Sequence, residues 1–142
     1  MSSASSATGT VNVSPSKFLY TNLGTLVPKL EVRLIDTSGN IQFDTTYDVP
    51  SNNVAYSPTQ IRISFQHIPK KSYCLKEILV EAVLANGSRL PFVDIVFSTD
   101  QPYMEEAVTY TITITSSCSY PSSISILAPT GSCSGGTPPK TS

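Results

Sequence analysis

The chain has 142 residues and a net charge of -1, and only 13% of its positions are charged, about half the share of an average soluble domain. Serine and threonine together fill 38 positions. So neutral a balance excludes a polyanion binder, which needs an excess of Lys and Arg; the 39% of hydrophobic residues argues against a wholly disordered chain, and no apolar run approaches the ~18 residues of a membrane-spanning helix.

Residues 1–16 are rich in Ser, Thr and Ala and almost free of large side chains. Such a segment buries too little apolar area to offset its own ordering entropy. It is expected to be a flexible N-terminal arm, free or ordered by a partner through Val11 and Val13. It shows neither the basic start nor the apolar stretch of a secretory signal, so the expectation is either synthesis in a cytoplasm or a mature chain with a restored Met. The folded body is expected over residues 17–128, with Phe18–Thr21 a candidate strand at its N-terminal edge.

Within that body the dominant period is two. Leu30, Val32 and Leu34 alternate with Glu31 and Arg33, Thr37-Ser38-Gly39-Asn40 makes a turn, and Ile41 and Phe43 resume the alternation. That is a hairpin pattern. Ile61, Ile63 and Phe65 mark the next strand. Residues 75–84 fit a helix through Leu75, Ile78, Leu79, Ala82 and Val83, and a strand through Ile78, Val80, Ala82 and Leu84. Asn86-Gly87 decides for a strand over 76–85, because it is a strong hairpin signal. It is read as a type I′ turn with positive φ at both central residues. The partner strand runs through Val93, Ile95 and Phe97, with Pro91 near its start, where a missing N–H is tolerated.

Val108, Tyr110, Ile112 and Ile114 alternate with Thr109, Thr111, Thr113 and Thr115, the cleanest strand in the chain. Ile124 and Ile126 mark a last short one. Residues 129–142, with Gly135-Gly136 and Pro138-Pro139, are expected to be a flexible C-terminal tail. Seven to eight short strands imply an all-β fold. The expected architecture is an antiparallel β-sandwich or barrel, Ig-like or jelly-roll-like, without the Trp of a true antibody-type domain.

The three cysteines, Cys74, Cys118 and Cys133, form no CxxC, and the single histidine, His67, cannot complete a zinc site with them. Two readings stand: three free thiols, some buried as small hydrophobes, or a Cys118–Cys133 bridge across the last strand with Cys74 left apart. A Ser–His–acid triad would have to use His67, which is expected to be a rim histidine where a strand enters a loop. No Gly-x-Ser-x-Gly, phosphate-cradling loop or His-Glu-x-x-His is present. Asp36–Asn40 begins like a calcium loop, but Ile41 and Tyr47 stand where an EF-hand needs Gly and Glu. A tight turn is the better account. No catalytic residue, cofactor or metal ligand is therefore assigned. Lys70, Lys71, Lys76 and Arg62 form a basic cluster, read as a solvated rim or a contact for an acidic partner. Tyr47, Tyr56, Tyr73, Tyr103 and Tyr120 fall in or near expected loops, where tyrosines either anchor partners or cover the ends of the sandwich.

The expectation is a non-enzymatic structural protein of a larger assembly. Polar arms at both ends and a charge-poor, hydroxyl-rich surface suit attachment to neighbouring subunits. In this general character the chain resembles the small β-sandwich decoration (cement) proteins of tailed-phage heads, or a fibre-head domain. The resemblance implies a place on the virion surface, capsid or fibre subunits as partners, and a homo-oligomer, with a trimer favoured. Neither nucleic acid nor a membrane is expected as a partner. The alternative is a ligand- or carbohydrate-binding module of the adhesin type on an extracellular surface, with loop tyrosines stacking on sugar rings.

Overall fold

The computed structural model describes residues 5–13, 15–98, 101–116, 123–128 and 131–138. In chain order the elements are β1 (Ser5–Val13), α1 (Lys17–Thr21), β2 (Lys29–Asp36), β3 (Ile41–Asp48), β4 (Val54–Tyr56), β5 (Gln60–His67) and β6 (Tyr73–Val83). They continue with β7 (Arg89–Val96), β8 (Gln101–Met104), β9 (Val108–Thr115), β10 (Ser123–Ala128) and β11 (Ser132–Cys133). The larger sheet runs β10-β1-β7-β6-β2-β3. Past the end of β7, β8 takes over the same edge of β6, and β11 pairs with β8. The smaller sheet runs β4-β5-β9. All pairings between these strands are antiparallel, and the expected all-β sandwich is the fold observed.

The two-residue period builds the core. Leu30, Val32 and Leu34 of β2 face inward beside Ile78, Val80 and Ala82 of β6, all at most 1% exposed. From the smaller sheet Ile61, Ile63 and Phe65 pair with Ile114, Ile112 and Tyr110 and close over them. The sheets meet through aromatic rings: Phe43 of β3 stacks on Phe65 at 5.3 Å between centroids, and Phe65 on Tyr110 at 4.8 Å.

Four sequence expectations are corrected. The first is the free N-terminal arm. Ser5–Val13 is a strand held between β10 and β7. Its small residues suit a crowded place: Ala7 and Gly9 are buried, and a β-carbon on Gly9 would come within 2.7 Å of Ile95 Cγ2 and 2.9 Å of Phe97 Cε1. The large side chains that fill this space come from β7 and the residue after it, so β1 looks featureless by itself. The second is the edge strand at Phe18–Thr21. This segment lies in α1, capped by the Ser16 hydroxyl accepting from the Leu19 N–H at 3.1 Å, and it buries Leu19 and Tyr20.

The third is the free C-terminal tail. β11 pairs with β8, and Cys133, fully buried, forms a disulfide with Cys74. This replaces the Cys118–Cys133 bridge. Sequence proximity suggested the latter; instead β8, lying against the start of β6, brings Cys133 on its far side to Cys74. Cys118 lies outside the described residues. The fourth is the turn at Asn86-Gly87. The hairpin of β6 and β7 is present, but the Gly87 N–H donates to Leu84 O and the Leu84 N–H to Ser88 O. This is a three-residue loop in which only the last position calls for positive φ; Gly87 supplies it at +90°. The turn joining β2 and β3 has the same hydrogen bonds around Gly39 at φ +87°. Positive φ at both central residues occurs elsewhere, at Gly135-Gly136, where the Thr137 N–H donates to Ser134 O.

Pro91 lies within β7 where the pairing with β6 slips by one residue, beyond the Asp94 end of the β1 ladder. Its missing N–H therefore breaks no pairing there.

Candidate functional site

Strand alternation sorts the smaller sheet into two unlike faces. The inner face is aliphatic and aromatic. The outer face shows Thr109, Thr111, Thr113 and Thr115 on β9 beside Gln66, Ser64, Arg62 and Gln60 on β5. All but the half-buried Ser64 are exposed, and Arg62 carries the face's one charge. A hydroxyl-lined surface of this kind is cheaper to desolvate against a protein than a charged one. Arg62 stands mid-strand, five positions before His67, while Lys70 and Lys71 lie in the exposed loop after β5 and Lys76 on β6. The four cations of the expected basic cluster thus belong to three separate places.

At the β2–β3 turn end, His67 is buried, and Tyr73 Oη lies 2.8 Å from its Nε2. The expectation of a rim histidine is corrected: the alternation of Ile61, Ile63 and Phe65 carries on to His67 and turns it into the core. The extended period was the signal that could have found this. Burial lowers the imidazole pKa and raises that of the Tyr73 phenol, with the Asp36 charge adding to the latter. Asp36 organises the adjacent turn. Its Oδ1 accepts from the Ser38 and Asn40 N–H groups at 2.9 Å and its Oδ2 from Gln42 Nε2 at 2.8 Å. Burial pushes this carboxyl up, but the hydrogen bonds outweigh it and leave the pKa below the ordinary value. The calcium-like pattern is a turn in the structure, as the failed motif implied.

The outer face of the larger sheet carries the charges missing elsewhere. Glu31, 6% exposed, pairs with Arg33 at 3.1 Å and with Arg89, and Arg33 reaches Glu81 at 3.0 Å. Further along this face Glu77 of β6 hydrogen-bonds Asp94 of β7. That bond, burial and the Asp94 charge push the Glu77 carboxyl up to about 7, with Lys76 pulling the other way. No group of His, Cys, Asp and Glu able to hold a metal ion occurs among the described residues.

The expected contact residues scatter. Val11 packs half-buried against the core, and Val13 sits opposite Asp94. Tyr73 is 8% exposed and committed to His67, so it offers little to a partner; it opens β6 and does not lie in a loop. Tyr103 is half-buried on β8 opposite Cys74, its N–H donating to Gly131 O. Tyr56 lies edge-on to Tyr20 and lines a shallow depression of about 110 Å3 with Ala55, Ser57, Gln60 and Arg62. Tyr120 lies outside the described residues. Among the described residues the exposed large apolar side chains are Phe18, Leu26, Ile41, Ile68 and Leu90, and residue type alone did not separate these from the core. No protein-family model, curated protein or solved structure matches the chain.

Proposed function

We propose that this domain is a non-enzymatic structural subunit that attaches to neighbouring proteins of a larger assembly, of the kind found as decoration or fibre-head proteins on virions. The observation that carries the reading is the outer face of the smaller sheet: four aligned threonines beside Gln60, Ser64 and Gln66, with one cation among them. The core of a protein–protein interface is depleted in charge, and this face meets that condition without exposing an apolar patch. The burial of the only histidine against Tyr73 supports it too, since histidine is the side chain most often used for proton transfer near neutral pH.

The test is co-sedimentation of the full chain with capsid shells of the particle that encodes it. Saturable binding, abolished by Thr113→Glu with folding intact, is expected. Absence of binding to shells and fibres alike overturns the reading.

The Tyr56 depression favours a second reading, a carbohydrate-binding module. An aromatic ring flanked by Ser57, Gln60 and Arg62 offers a stacking surface and hydrogen-bonding groups. Glycan-array binding by the isolated chain, lost in Tyr56→Ala, would select it over attachment to shells.

A further inference from the structure

The edges of the two sheets are not equally protected. β3 carries Asp44 and Asp48, and its pairing with β2 slips by one residue near Ile41. β4 is three residues long. Charge, irregularity and shortness are the usual ways in which an edge is kept from pairing with another chain. β9 and the six-residue β10 have none of them, and β9 is the longer. Its eight residues include no charge, Pro or Gly, and its register with β5 is unbroken from Val108 to Thr115. Among the described residues β5 is its one strand partner.

The hydrogen bonds around β5 fix which backbone groups of β9 face outward. The Ser64 N–H donates to Asn53 O and the Ser57 N–H to Gln60 O, so the even-numbered residues of β5 turn toward β4. The odd-numbered residues of β5 therefore turn toward β9, where they meet Val108, Tyr110, Ile112 and Ile114. The Ser116 N–H, donating to Thr59 O, keeps the same phase. Antiparallel strands alternate the direction of their backbone groups. Thr109, Thr111 and Thr113 thus point their N–H and C=O groups away from β5, and their side chains are exposed.

We propose that β9 pairs antiparallel with β9 of a second copy of this chain, about a two-fold axis at Thr111. Of the outward-facing threonines, Thr109 and Thr113 lie symmetrically about that residue, and Thr115 falls opposite Ala107 of the copy. In this register Thr111 faces its own copy and Thr109 faces Thr113. Each of these pairs exchanges two hydrogen bonds, the arrangement of a hydrogen-bonded antiparallel pair. The hydroxyls come together as cross-strand Thr–Thr pairs, a favourable combination. No like charges meet at the seam, because Arg62 stands one strand back from it. The product is a continuous sheet β4-β5-β9-β9-β5-β4 with closed point symmetry. The inference rests on the assembly-subunit reading and names a two-fold pair where the sequence resemblance implied a trimer.

The test is analytical ultracentrifugation of the full chain over a wide concentration range, with Cys118→Ser in every sample so that no intersubunit disulfide contributes. A concentration-dependent dimer is expected. Thr111→Lys places two ammonium groups face to face across the axis and should raise the dimer dissociation constant by about tenfold or more, with an unchanged melting temperature. Thr109→Lys, off the axis, is the second variant and should weaken the dimer less. Thr46→Lys on the β3 edge should leave it unchanged. A monomer at every concentration, or a dimer indifferent to Thr111→Lys, overturns the pairing. Co-sedimentation with shells is read separately, so failure of the pairing and failure of the assembly reading are distinct results.

Discussion

Gly9 and Ile95 compete for the same space: a β-carbon on Gly9 would stand 2.7 Å from Ile95 Cγ2, with Phe97 Cε1 at 2.9 Å. The requirement for glycine here is steric and arises from the neighbouring strand. Gly9→Ala is expected to destabilise the domain by about 1–3 kcal/mol through overpacking, read as a drop in denaturant midpoint. Deletion of residues 1–13 removes a strand from within the larger sheet and should abolish cooperative unfolding. A truncated protein that melts like the parent would return this segment to the status of a free arm.

The Cys74–Cys133 bond spans a sequence separation of 59. Closing a loop of that length stabilises a fold by about 4 kcal/mol in the chain-entropy model. Cys133→Ser should lower stability by a similar order. Peptide mapping without reductant should recover the Cys74–Cys133 pair and a Cys118 that takes up a thiol reagent or is linked to another chain. An intrachain Cys118–Cys133 peptide would contradict the path of β11.

Glu77 gives a pH dependence of definite sign. Its folded-state value of about 7 lies above the ordinary 4.5, so the native state holds a proton that the unfolded chain has released. The stability tied to that proton is complete below the ordinary value and is lost as pH rises through 7. The pair is partly exposed and screened by solvent, which reduces the loss to the order of 1 kcal/mol. Denaturant midpoints of the parent, taken relative to those of Glu77→Gln so that contributions common to both cancel, should decline from about pH 5 to about pH 8.

His67 acts in the opposite direction. Burial lowers its folded-state pKa below the ordinary 6.5, so stability is lost as pH falls through that ordinary value and the unfolded chain takes up the proton first. Tyr73→Phe leaves the buried His67 Nε2 without its partner and should cost about 1–3 kcal/mol. Thermal melts of the variant test this, and a melting temperature equal to the parent's would mean the hydrogen bond contributes nothing net.

Gly39 and Gly87 close equivalent three-residue turns at φ +87° and +90°. Either glycine replaced by valine should destabilise by about 1–2 kcal/mol or more, because a β-branched residue resists positive φ. Asn86→Ala should have a much smaller effect, since a two-residue type I′ turn alone would demand positive φ there. Equal losses at Asn86 and Gly87 would restore the type I′ geometry.

The sequence by itself determined the class of fold and most strands. Alternation through Leu30–Leu34, Ile61–Phe65 and Val108–Ile114 decides which side chains can be buried together, and a sheet can bury them in only one phase. The glycine signals located the β2–β3 and β6–β7 turns, because positive φ is a local property of the backbone. The tertiary structure alone decided the rest. β1 is a strand because β7 and the residue after it bring Ile95 and Phe97 over Gly9; the apolar area that offsets its ordering entropy belongs to other elements. Cys133 meets Cys74 because β8 joins β6 and β11 joins β8, pairings between residues far apart in the chain that no local pattern encodes. The outward-facing backbone of Thr109, Thr111 and Thr113 follows in the same way from the phase of the β4–β5 hydrogen bonds. Side-chain alternation says which face a residue occupies, and only the neighbouring strand decides which edge its N–H and C=O address.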